Sequence, residues 1–167
     1  IGKIAIIRGW KGHDYLIDSV PLVLENFPEA RFVIVGSGPG YESICTRIKN
    51  HGIEKSVFML GHREDIPEIM AALDIHCVAS FAMKTPVVST RMVSILPLLG
   101  NGERGVLVEL KNSHDMANGI MKILNDRESA QIMAEKAFTF CKTDLGIDKM
   151  MEQTLAVYKE VLSNSHP

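Results

Sequence analysis

Cysteine is scarce in this 167-residue chain, tryptophan occurs once, and aromatic residues make up 6%. The three cysteines, Cys45, Cys77 and Cys141, are far apart, with no CxxC pair and no histidine at ligand spacing. That pattern excludes a disulfide framework and a zinc site. Cys77 sits in the apolar run 75–79 and reads as a buried small hydrophobe, which places the protein in a reducing, cytoplasmic compartment. No apolar run approaches the roughly 20 residues needed to cross a bilayer. Charge of one sign is also lacking: 18 Lys and Arg stand against 20 Asp and Glu, for a net charge of −2. A global basic field for nucleic acid is therefore absent, leaving room only for a local basic patch. There is no Walker loop, no GxSxG elbow and no metal-ligand cluster.

What is present is a foldable core. Apolar residues make up 46% and charged residues 23%, which rules out a disordered chain. The length suits a single domain able to bury its own core. Short β-branched runs predict strands over 3–7, 31–35, 56–60, 74–79, 86–90 and 105–108. Between them, apolar residues recur at helical spacing. Leu16, Val20, Val23, Leu24 and Phe27 form one such stripe, closed by Pro28 and Glu29. Tyr41, Ile44, Cys45 and Ile48 form another, closed by Gly52, and Ile66, Ile69, Met70 and Leu73 mark a short helix beginning near Pro67. Three helices follow the last strand. The first has Ser113 as its expected N-cap, the second spans 127–141, and the third carries Ile147, Met151, Leu155, Tyr158 and Leu162.

Six strands alternating with helices predict βαβ units and an α/β, Rossmann-like, doubly wound parallel sheet with C-terminal helices. Ligands of such sheets lie off the carboxyl ends of the strands, so the loops to inspect are 8–13, 36–40, 61–65, 80–84 and 90–95. One connection is too short. Five residues join the strand ending at Ser80 to the one starting at Pro86, where parallel neighbours need about a dozen. Either these strands are not parallel neighbours or residues are missing between Ser80 and Phe81.

Arg8-Gly9-Trp10-Lys11-Gly12-His13-Asp14 sets two cations and a glycine at a helix N-terminus. Free N–H groups and the helix dipole favour an anion there, and Arg and Lys suit phosphate; a solvated basic turn is the alternative. Gly36-Ser37-Gly38-Pro39-Gly40 begins like GxGxxG but has Tyr41 at the sixth position and follows the second strand, which argues against a dinucleotide fingerprint. Its glycines allow close backbone approach either to a ligand or to the neighbouring loop. In Gly61-His62-Arg63-Glu64-Asp65, the two acids read as helix capping groups, and His62 as a solvated or structural histidine unless a ligand reaches it.

The ordered set of these loops resembles the C-terminal domain of the group 1 (family 4) glycosyltransferases of the GT-B fold. It includes 6–17, 32–39 and 61–67, together with Lys84-Thr85-Pro86-Val87-Val88-Ser89-Thr90 and Asn101-Gly102-Glu103-Arg104-Gly105-Val106-Leu107-Val108, and covers nearly the whole chain. The resemblance implies a single nucleotide-sugar-binding domain, 1–167, excised from a longer two-domain enzyme; that the chain opens inside an apparent strand suggests the same. It implies transfer of a sugar from a nucleotide diphosphate sugar to a glycan or lipid-linked acceptor, without metal or cofactor. The acceptor would be held by an N-terminal domain of the same polypeptide. Cell-surface polysaccharide synthesis at the inner face of the membrane is the implied context, with peripheral membrane association of the full-length enzyme and no nucleic-acid partner.

By the same resemblance, Arg8 and Lys11 hold the diphosphate, and Leu60, His62 and Arg63 receive the base; Gly36 and Gly38, open to close backbone approach, are further candidates for the donor site. The family's acidic stretch has no counterpart after Ser80, and Val93 and Ser94 replace its glycines after Thr90, so no catalytic residue can be named. The alternatives are a non-enzymatic, degenerate nucleotide-binding module and a GT-B-type nucleotide-sugar epimerase. The last helix carries Met150, Val157 and Val161 on a second face, expected to be exposed here and covered in an intact enzyme.

Overall fold

The computed structural model describes residues 1–77 and 84–164. Among them are six strands: β1 (Gly2–Ile4), β2 (Phe32–Val35), β3 (Val57–Gly61), β4 (His76–Cys77), β5 (Val87–Thr90) and β6 (Val106–Val108). All pair in parallel, in the order β3-β2-β1-β4-β5-β6. This is the doubly wound order, whose direction reverses between β1 and β4. The crevice for a ligand opens there, beyond the carboxyl ends of those two strands.

The helices are α1 (His13–Asn26), α2 (Tyr41–His51), α3 (Ile66–Ala71), α4 (Leu96–Leu99), α5 (Ser113–Asn125), α6 (Arg127–Asp144) and α7 (Ile147–Asn164). Leu16, Ile17, Val20 and Val23 of α1 are fully buried, as are Ile120 of α5 and Phe32 and Ile34 of β2. These side chains form the centre of the core, with α1 packed between α2 and α5. Gly52, at φ +65°, ends α2 in the left-handed conformation expected of a glycine cap.

Local chemistry shifts several expected boundaries. β1 ends at Ile4, although Ala5 and Ile7 still donate backbone hydrogen bonds to Val35 and Ser37. Asn112, not Ser113, caps α5, its side chain accepting from the Asp115 N–H at 3.0 Å. Asp126 caps α6 in the same way, and that helix runs three residues beyond the expected end. Helix α4 and two short 3-10 turns, Gly9–Lys11 and Gly100–Gly102, are additional. Arg104 closes the carboxyl end of α4. It donates to the Leu98 and Pro97 carbonyls at 2.9 and 2.8 Å and stacks 3.8 Å from the Phe140 ring of α6.

β4 and β5 are parallel neighbours, with His76 opposite Val87, so the first explanation of the short connection falls. Nine residues, 78–86, join them. The expected strand end at 78–79 and the Ser80–Phe81 junction lie outside the described residues. Helix α7 departs furthest from expectation. Met150, Val157 and Val161 are exposed, as are Ile147, Met151, Leu155, Tyr158 and Leu162 of the principal stripe.

Candidate functional site

The chain leaving β1 turns sharply through the 3-10 turn, in which the Lys11 N–H donates to the Arg8 carbonyl at 2.9 Å. Gly12, at φ +69°, ends that turn and opens α1. Among the described residues no side chain caps α1, so its first N–H groups face the loop without a side-chain acceptor there. Arg8 and Lys11 are both exposed, and neither makes an ion pair among the described residues. The structure thus joins two unneutralised cations to the positive end of a 14-residue helix beside the switch point. The Arg8 guanidinium lies 5.3 Å from the centroid of Trp10. Trp10 is 74% exposed, and both residues line a depression of about 410 Å³ together with Gly9, Pro39 and Gly40.

The 36–40 loop lies against this one. Gly36 and Gly38 have φ of +135° and +152°, and a Cβ on either would collide with the backbone carbonyl of Ala5 or Ile7. These glycines therefore seat one loop on the other. That packing is the duty the structure assigns them, and the Gly40 N–H reinforces it by donating to the Ile7 carbonyl at 3.1 Å. The third loop is tied on in turn, the Gly36 N–H donating to the Gly61 carbonyl at 2.7 Å.

Leu60, His62 and Arg63 are exposed at the carboxyl end of β3. With β2 between β3 and β1, the two outer loops are separated by two strand spacings, about 10 Å. Asp65 occupies the N-cap position of α3 but makes no capping bond. Contrary to the expected capping role, its carboxylate accepts both Arg63 Nε and Nη2, at 2.8 and 2.6 Å. The bonds from Arg63 hold the Asp65 carboxyl below the usual carboxylate range.

Two buried bases under the first loop were missed in reading the sequence. Lys3 in β1 is 3% exposed and His13 at the start of α1 is 2% exposed. Burial lowers the Lys3 ammonium to about 8 and the His13 imidazole to about 4, and Lys11 acts on both in the same direction. Neither ring nitrogen of His13 has a hydrogen-bond partner among the described residues. The available signal was a lysine inside an otherwise apolar strand.

A wider depression of about 830 Å³ runs along α6 past Arg104, Ile132 and Phe140. It lies near the amino end of β6, away from the strand ends where these loops converge. Among the described residues no group of three or more His, Cys, Asp or Glu side chains could hold a metal ion, and no helix is long and apolar enough to cross a membrane.

The family described as "Glycosyl transferases group 1" matches residues 1–140. The N-acetyl-alpha-D-glucosaminyl L-malate synthase of Bacillus anthracis is 26% identical over 146 residues, covering 80% of this chain and 38% of that protein. Since 80% of 167 residues is fewer than 146, that relative carries residues within the matched stretch that this chain lacks. The Anabaena Alr3699/HepE structure in complex with UDP superposes with a TM-score of 0.82 at 25% identity, over 93% of this chain and 48% of that one. The C-terminal domain of a group 1 family glycosyl transferase (LpcC) from Francisella tularensis superposes with a TM-score of 0.77 at 24% identity, over 87% of this chain and 85% of that domain. The chain thus spans less than half the length of the first two and most of the third.

Proposed function

Because the chain belongs to the group 1 glycosyl transferases, we propose that it is the half of such an enzyme that binds the nucleotide diphosphate sugar. One observation carries this reading: the free cations Arg8 and Lys11 at the uncapped N-terminus of α1, beside the switch point of the sheet. The diphosphate lies on that loop and the base reaches across to Leu60, His62 and Arg63 at the carboxyl end of β3. Gly36 and Gly38 hold the two ends of the site together. The UDP in the Anabaena relative is consistent with such a ligand.

The acceptor, a glycan or lipid-linked sugar, is held by a separate N-terminal half of the longer polypeptide. The donor is the substrate, and neither metal nor cofactor is invoked. Cell-surface polysaccharide synthesis in the cytoplasm, with the full-length enzyme peripheral to the inner membrane face, is the setting we propose.

The mechanism available to these residues is electrostatic. Arg8 offers a planar fork and Lys11 a point charge, and both neutralise negative charge on the diphosphate. In a transfer reaction that charge grows as the sugar departs, so the same groups stabilise the leaving diphosphate.

Calorimetric titration of UDP into the chain tests the site. Lys11→Ala costs about 1–3 kcal/mol of affinity, the range for a charge-assisted hydrogen bond, and binding weakens with salt. Equal affinity of variant and parent overturns the assignment.

A second reading, binding without transfer, is favoured by the nine-residue link between β4 and β5 and by the residues the Bacillus relative has in addition. On either reading this chain alone transfers no sugar, because the acceptor half is outside it. Turnover of UDP-glucose by the pure chain would contradict both.

A further inference from the structure

We propose that Lys3 is a positioning residue for the bound nucleoside diphosphate: a buried cation beneath α1 whose missing counter-charge is supplied by the anion on the 8–12 loop. This rests on the reading of that loop as the diphosphate site.

Among the described residues no carboxylate is one of the groups acting on Lys3. In a strand, successive side chains point to opposite faces. A side chain on Gly2 would meet Leu73, so Lys3 faces the other way, towards α1. The buried residues of α1 are His13, Leu16, Ile17, Ser19, Val20 and Val23, and only His13 among them titrates. Those of α5 are Met116, Ala117, Gly119, Ile120 and Ile123, none of which titrates. β2 contributes Phe32, Val33, Ile34 and Val35. From β4, His76 lies level with Gly2, and Cys77 is the next residue. Burial pushes the Cys77 thiol up to about 11, so it stays neutral near pH 7. Of the two neighbouring groups that act on Lys3, Cys77 favours its charged form only as a thiolate and Lys11, of the same sign, opposes it. Among the described residues Lys3 makes no ion pair.

A buried charge is costly unless paired. Below pH 8 Lys3 nevertheless keeps most of its charge. A second observation points the same way. His13, the first residue of α1, is buried with both ring nitrogens unpartnered among the described residues. Two buried bases, two free surface cations and a helix N-terminus therefore converge with no negative group among those acting on Lys3. A diphosphate placed on the loop supplies that charge, and by linkage it holds the proton on Lys3.

The consequence has a signature that a packing role lacks, because two effects take opposite signs. Lys3→Met removes an uncompensated buried charge, so the ligand-free chain becomes more stable. It also removes part of the field on the ligand, so binding becomes weaker.

The test uses the 167-residue chain and UDP as the probe, with titrations at constant ionic strength near pH 7.5 and pH 9. Affinity of the parent chain falls about fivefold over that interval, as the charged fraction of Lys3 drops and only the weaker binding of the uncharged form remains. Lys3→Met binds about tenfold more weakly at the lower pH and shows a flat profile, while its urea midpoint rises. Unchanged affinity in Lys3→Met, a variant that fails to fold, or a parent profile already flat overturns the proposal. If Lys11→Ala loses affinity while Lys3→Met does not, the diphosphate site stands and only the role of Lys3 falls. If the parent chain fails to bind UDP at all, the site itself is refuted, and the role of Lys3 with it.

Discussion

Arg63 and Asp65, two residues apart at the carboxyl end of β3, are joined by a pair of hydrogen bonds of 2.8 and 2.6 Å that occupy one edge of the guanidinium fork. Of the three cations in the proposed donor site, Arg63 is thus the neutralised one. Asp65→Ala frees it. UDP then binds about threefold more tightly, through a charge that can reach the ligand, while the thermal midpoint is unchanged because the pair is solvent-exposed. Calorimetry and thermal melts check both; weaker binding would mean that the pair itself shapes the site.

Gly38 lies against the Ile7 carbonyl at φ +152°. Gly38→Ala combines a collision with backbone and a conformation that L residues rarely adopt, costing about 2–4 kcal/mol. The urea midpoint measures it, and a variant as stable as the parent would show that the two loops are not seated as described.

His13 gives the stability a pH dependence of definite sign. Burial lowers its imidazole from 6.5 to about 4, so between those values the unfolded chain binds more protons than the folded one. Stability is present above pH 6.5 and is lost as pH falls towards 4, by about 3 kcal/mol at full linkage. Carboxylates titrate in the same range, so the decisive quantity is the difference from His13→Leu, whose stability falls less over this window. Parallel curves for the two proteins would remove His13 from the account.

Helix α7 carries apolar residues on both faces, and all are exposed. Met150→Glu, Val157→Glu and Val161→Glu together therefore leave the urea stability of this chain within about 0.5 kcal/mol, as for surface substitutions generally. In a longer protein carrying the acceptor half, the same three changes lower the thermal midpoint, because we propose that this face is covered there. A large loss of stability in the isolated chain would show that the face packs within the domain.

The strands were legible because β-branched runs such as 32–35 and 87–90 stand between glycines, prolines and helical stripes. The phosphate-type loop was legible because Arg8 and Lys11 flank a glycine where a strand gives way to a helix. Two local interactions were not. Asn112 and Ser113 are both good caps, and only the entry of the chain into α5 selects Asn112. Asp65 could cap α3 or pair with Arg63, and the loop conformation brings the guanidinium close enough to win.

The sequence by itself determined the alternation of strands and helices, the α/β class and the cationic loop, since each is written in residue types only a few positions apart. Tertiary structure alone decided that β1 lies between β2 and β4, which places the 8–12 loop at the switch point. It also decided that Lys3 is buried. Its place in an otherwise apolar strand hints at something unusual, but α1 and β4 are what enclose it, and contact between segments distant in sequence has no local signal to read.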